Sequence, residues 1–256
     1  MNGGDVMNRR EFSKYTLMTL SGIALFDTLF RQKLIIAAAE PIANRWLWEL
    51  HTMCSDLRTN SISQTQWQAK IDEFHSKLPL DDLMNVIDFD KSIRQFAYPD
   101  LGVVTTDPKL PKVDGISGEY SFIGRIFGMQ KDRAIIPHGH QNMTSCHRVL
   151  KGEVLLRQYD RIKTEGEYIL IRQTNEQQGA PGSFSSVSDH KNNVHWLIAT
   201  TSTAYTFDVI VVGLNGKRTE IDNIDIDAGV RVEQQMLRVK KIRVNQALRK
   251  YGKTHH

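Results

Sequence analysis

The strongest constraint on the fold is a change of texture at Pro99. Beyond it, helical spacing gives way to eight short apolar runs between Leu101 and Leu214: LGVVTT, YSFIGRIFGM, RAIIPH, HRVLKGEVLLRQYDRI, EYILIRQT, SFSSVS, VHWLIATT and YTFDVIVVGL. Turn residues separate them, at Gln130–Asp132, Lys151–Gly152, Glu165–Gly166 and Ala180–Gly182. Many short strands with regular turns predict a mainly β domain, a sandwich or barrel. Ahead of it, Trp46, Leu47, Leu50, Met53, Cys54 and Leu57 recur at intervals of three and four, as do Trp67, Ile71, Phe74 and Leu78. That spacing predicts an α-helical extension over about 40–98, with His51 and His75 inside its helices and without an assigned role. The barrel is expected over 99–216. A strand and short helix are expected within 217–256, with Asn245 starting the helix and Gly252 ending it.

Residues 1–39 read as an export signal. Arg9 and Arg10 precede an apolar run from Tyr15 to Phe30, and Ala37, Ala38 and Ala39 follow it. Charged start, apolar middle and small-residue end form the order of a secretory signal, and Asp27 within a short run argues against a membrane span. The stretch NRREFSK resembles a twin-arginine signal, with Asn8 and Ser13 departing from the usual pattern. This resemblance implies the twin-arginine export machinery as a partner and a bacterial periplasmic location. It also suits a protein that acquires its metal before export.

The net charge is +4, and seven Lys or Arg with no acid lie from Arg238 onward. So small a surplus reads as a solvated face, and no nucleic-acid partner is expected. Cys54 and Cys146 make no disulfide framework, and whether they pair is open.

The stretch IIPHGHQNMTSCHRVLKGE concentrates histidine. On a strand, residues two apart share a face, so His138 and His140 project into one space. Two inward imidazoles are polar groups that need partners, and neutral imidazole suits a transition metal. His195, at the start of the run VHWLIATT, is the expected third ligand. His190 lies in the turn before it and is an alternative, as is His147. Seven positions from His140, His147 has the opposite parity and is expected outward. Met143 reads as packing and His255 and His256 as tail.

HGH, Gly152, APGSF and His195, in that order, resemble the cupin superfamily. The implied fold is a double-stranded β-helix, or jelly-roll, barrel. The glutamate that usually follows the second histidine is missing, since Thr144, Ser145 and Cys146 stand there. This resembles the three-histidine thiol dioxygenases, and most closely the branch of cysteamine dioxygenase and the plant cysteine oxidases. Pro137, His138, His140, Met143, Thr144, Arg148, Leu150, Gly152, Tyr159 and Asp160 carry the likeness, with Asp208 in FDV. It covers roughly Tyr120 to Gly213. Gln141 and the stretch GLNGKR depart from the family pattern.

The resemblance implies Fe(II), or another divalent transition metal, on His138, His140 and His195. It implies as substrates O2 and a thiol, either a small molecule or a peptide with N-terminal Cys. Asp208 would accept a hydrogen bond from a ligand imidazole or from a substrate amine. Tyr159 and Tyr205 are candidate phenol donors. Arg148 and Arg157 are candidates for a substrate carboxylate, although arginine on a strand is more often a surface residue. The alternatives are another metal-dependent cupin enzyme, an isomerase or non-thiol oxygenase, and a non-catalytic ligand-binding cupin.

Overall fold

A computed structural model describes residues 42–253; the signal-like segment, His255 and His256 lie outside the described residues. The chain divides between Arg45 and Trp46, and the unit from Trp46 onward carries both sheets and the site. No described helix is long and apolar enough to cross a membrane.

Helices α1 (Ile42–Arg58), α2 (Gln64–Lys77), α3 (Leu80–Val86) and α4 (Phe89–Ile93) come first. Ser63 starts α2 through a capping box, its hydroxyl accepting from the Gln66 amide while Gln66 Oε1 accepts from the Ser63 amide. The apolar stripe of α1 and α2 is buried, Leu47, Leu50, Trp67 and Ile71 completely.

Eleven strands follow: β1 (Val104–Thr106), β2 (Ile123–Gln130), β3 (Ala134–Gln141), β4 (Met143–Lys151), β5 (Val154–Glu165), β6 (Tyr168–Gly179), β7 (Phe184–Val187), β8 (Val194–Ala199), β9 (Thr203–Val212), β10 (Glu220–Glu233) and β11 (Met236–Ile242). Helix α5 (Val244–Tyr251) closes the described chain. One sheet has the order β1-β2-β9-β4-β7, and the other closes into a barrel, β10-β11-β6-β5-β8-β3. Within them, β2-β9-β4-β7 face β3-β8-β5-β6, the strand order of an eight-stranded jelly roll with every pairing antiparallel. The expected mainly β, jelly-roll class with a helical N-terminal extension is the class observed.

Both sheets are buried on two faces. Ile135, Val154, Leu156 and Leu197 of one sheet meet Met129, Val149 and Ala204 of the other, filling the jelly roll. On the outer side of the first sheet, Ile126, Cys146, Leu150, Phe207 and Val209 pack with the helices. On the far side of the second sheet, Tyr159, Ile169, Ile171 and Val194 pack with Ile224 and Val239 of the C-terminal hairpin. Gly152 permits the tight β4–β5 turn, with φ +72° and a would-be Cβ only 2.1 Å from the Thr203 carbonyl.

Two expectations for the C-terminus are corrected. The segment holds two strands and a helix, because β10 inserts between β3 and β11. Asn245 lies inside α5, whose N-cap is Arg243 without a side-chain cap; Gly252 stands at the C-cap.

The extension is fastened to the barrel by a buried arginine. Arg148 donates to the carbonyls of His75 (3.1 Å) and Leu78 (2.7 Å) and to His75 Nδ1 (3.4 Å). Burial, reinforced by the Arg148 charge, pushes the His75 imidazole down to about 3. The folded state therefore refuses a proton that the unfolded chain accepts at the ordinary value of 6.5. Stability from this group is complete above 6.5 and is lost as pH falls toward about 3. By about pH 4.5 the expected loss is roughly 2–3 kcal/mol, at ~1.4 kcal/mol per unit. Urea unfolding at several pH values, with His75→Phe as the titration-free reference, measures it; equal acid sensitivity of the two chains would refute the assignment.

Candidate metal centre

Strands β3 and β8 place three imidazoles together. His138 and His195 are direct cross-strand partners, and His140 is two residues on from His138. Ring centroids are 4.3 Å apart for His138–His195, 4.8 Å for His140–His195 and 5.1 Å for His138–His140. One ligand atom from each can be chosen so that all lie within 4.8 Å of one another. His140 and His195 are buried and His138 is half-buried.

Gly139, between the two ligands, faces the opposite side. A Cβ there would stand 2.7 Å from Arg161 Nη2 and 2.7 Å from Asn193 Oδ1. The bare position leaves room for a polar network behind the site. Asn193 donates to the His140 carbonyl at 2.8 Å, and Arg161 donates to Asn193 (2.9 Å) and to Asp222 (2.8 Å). That network holds the strand carrying both ligands.

The electrostatics suit a metal. His138 Nδ1 lies 2.8 Å from the Ile136 carbonyl. A carbonyl only accepts, so the proton sits on Nδ1 and Nε2 keeps its lone pair. Burial pushes His138 down to about 4 and holds His140 and His195 well below the ordinary imidazole value, with neighbouring imidazoles adding to the effect. Three neutral imidazoles are ready donors. His140 Nδ1, His147 Nε2, Ser145 Oγ and Gln158 Nε2 are buried without a partner. Such a cluster of unsatisfied polar atoms fits a bound ion with its attendant ligands. The fold therefore holds a three-histidine group able to bind a metal, whose identity the donor set leaves open among nitrogen-preferring divalent ions.

His147 overturns an expectation. It points inward, its ring 4.7 Å from that of His195, and its Nδ1 lies 2.5 Å from Asp208 Oδ2. Counting parity from His140 fails because the chain crosses between sheets at Asn142, which has φ +59°. Asp208 is the register partner of His147 on β9, and its other oxygen accepts from Thr206 Oγ1 at 2.9 Å. Its imidazole partner is thus His147 and none of the three clustered histidines.

Four other expected site residues lie away from the cluster. Arg148, next to His147, points to the helices. Tyr205, one residue from Thr206, also faces them, sharing a 2.6 Å hydrogen bond with the Tyr98 hydroxyl and packing on Phe89. Tyr159 lies on the far face of β5 against Val194, opposite to its neighbour Gln158, the cross-strand partner of His195. Arg157 shares that far face, with its guanidinium over Trp196 and 3.3 Å from Glu176. His190 stays in its turn, its amide donating to Ser188 Oγ. Met143 is buried, and Cys54 and Cys146 are free thiols. Gln158 and Ser185, which bond each other across the two sheets at 2.9 Å, went unrecognised because neither type is distinctive in a strand.

No family model matches the chain, and no curated protein matches it. Among solved structures, a cupin superfamily protein from Desulfitobacterium hafniense is 11% identical, covering 46% of this chain and 84% of its own, with a TM-score of 0.30. KdgF from Halomonas sp. is 10% identical, covering 46% and 86%, with a TM-score of 0.32. An 11S globulin from Wrightia tinctoria with an auxin binding site is 13% identical at a TM-score of 0.36. That match covers 52% of this chain and only 30% of the globulin, and procruciferin from Brassica napus is covered to 23%. The strand order alone carries the fold assignment. The architecture is a jelly roll.

Proposed function

We propose that this chain is an exported Fe(II)-dependent dioxygenase of the cupin type that oxidises a thiol to a sulfinate. The observation that supports it best is the donor set: three neutral imidazoles, with the nearby carboxylate of Asp208 turned to His147. A cation held by neutral ligands keeps its charge and favours an anionic partner such as a thiolate. Bound iron would supply a place for thiolate and O2 side by side and the electrons between them. The balance is R–SH + O2 → R–SO2H, with both oxygens on sulfur and no further reductant.

The protein's own groups do the rest. His147 commits its Nδ1 proton to Asp208, so Nε2 presents a lone pair toward the cluster and takes the thiol proton. Gln158 and Ser185 present polar atoms from both sheets and orient the substrate. The apolar filling around Leu156, Leu197 and Met129 keeps bulk water away. Export by the twin-arginine route and a periplasmic location complete the proposal, supported by Arg9, Arg10 and the apolar run after them.

The same His147–Asp208 pair supports a second reading, a metal-assisted proton transfer in a non-thiol isomerase. Oxygen uptake by the chain loaded anaerobically with Fe(II) separates the two. The substrates are cysteine, cysteamine, 3-mercaptopropionate and a peptide with N-terminal Cys. Thiol-dependent uptake with a sulfinate detected by mass spectrometry is expected. Asp208→Asn should lower turnover by roughly 10²-fold or more while keeping iron. Iron firmly bound with no uptake on any thiol would discard the dioxygenase.

A further inference from the structure

A second feature lies outside the jelly roll. A groove of about 1060 Å3 runs between the β10–β11 hairpin and α5. Among the described residues Lys240, Lys241, Arg243 and Arg249 line it, against one acid, Glu167. Lys240 stands 3.6 Å from Glu167 and Lys241 3.2 Å from Asp222, which Arg161 also holds. Arg243 and Arg249 are exposed and form no ion pair among the described residues. The groove thus keeps an uncompensated positive charge. It also exposes apolar surface, for Ile221 is 57% and Val244 52% accessible.

We propose that this groove docks an acidic peptide segment that carries apolar side chains. Charge complementarity requires an anionic occupant. The exposed Ile221 and Val244 call for apolar groups on the same ligand. Among the described residues no aromatic side chain lines the groove, which argues against the stacking platform that single-stranded nucleic acid uses. A concave surface suits an extended chain better than a membrane plane. In an extended peptide successive side chains alternate, so apolar groups reach the floor while carboxylates reach the arginines.

The register gives the groove a position. Ile221 pairs with His140 and Asn223 with His138, so a docked peptide lies one strand from these two histidines. Docking itself does not depend on the function proposed above.

The test uses the full chain and a fluorescein-labelled peptide of alternating Glu and Leu, read by fluorescence anisotropy at two salt concentrations. Saturable binding that weakens with salt is expected. Arg243→Glu with Arg249→Glu should weaken it about 10-fold or more, and the neutral pair Arg243→Gln with Arg249→Gln by a smaller factor. Circular dichroism melting confirms that each variant is folded. His195→Ala should bind as the parent chain does, which separates this claim from the metal centre. Absence of saturable binding, indifference to both double variants, or tighter binding of an oligonucleotide or of phosphatidylserine vesicles at equal charge would overturn the proposal.

Discussion

Replacement of His195 by alanine is expected to abolish stable metal retention. His195 is the cross-strand partner of His138 and stands 4.3 Å and 4.8 Å, ring to ring, from His138 and His140. Its removal leaves two of the three clustered ligands, beside a His147 already bonded to Asp208. The loss should exceed the ~100-fold that removing a mere hydrogen-bond partner of a ligand costs. Metal titration of the parent and variant, followed calorimetrically and by metal analysis after dialysis, measures it. His190→Ala is the control and should bind as the parent does, since that residue remains in its turn. Full metal content in His195→Ala would eliminate the three-histidine centre. The variant should stay folded, because alanine relieves a polar group whose burial is uncompensated without metal.

Arg148→Met is expected to destabilise the chain by on the order of 3–4 kcal/mol while leaving metal affinity unchanged. Methionine retains much of the packing but donates nothing. The His75 and Leu78 carbonyls, at the end of α2, then lose charged donors worth ~1.5–3 kcal/mol each. Methionine is spared the cost of burying a guanidinium, which keeps the net below the sum. Urea unfolding monitored by tryptophan fluorescence reads the change, since Trp46 and Trp67 lie in the cluster that this contact fastens. A loss under about 1 kcal/mol would show that the contact is dispensable. Altered thiol affinity at unchanged stability would return Arg148 to a substrate-binding role.

The fate of Arg148 shows where sequence reasoning reached its limit. Period-two spacing placed His138 and His140 on one face and the strand class was legible from the run lengths, because both depend on local geometry. Arg148, Tyr205 and Tyr159 are candidates through the resemblance, which does not say which face of its strand each residue takes. Both sheets are covered twice, by helices on one side and by the C-terminal hairpin on the other, so a buried polar residue need not face the cavity. His147 was misread for a related reason. Strand parity is meaningful only within one strand, and Asn142 with its left-handed backbone interrupts the count. Strand β10 is not legible in the sequence, since its partner β3 lies far back in the chain and no local signal identifies such a pairing.

That pairing sets the order in which the chain can mature. Gln141, at the end of the strand bearing His138 and His140, meets Asp222, 81 positions further along the chain. A nascent chain emerging from the ribosome therefore exposes its imidazoles long before the strand that flanks them exists, and long-range closure of this kind is slow. A metal held by the finished geometry would therefore be secured only once β10 has been made. A chain halted before β10 already carries all three histidines but lacks the strand that flanks β3, and should hold metal less tightly than the finished chain.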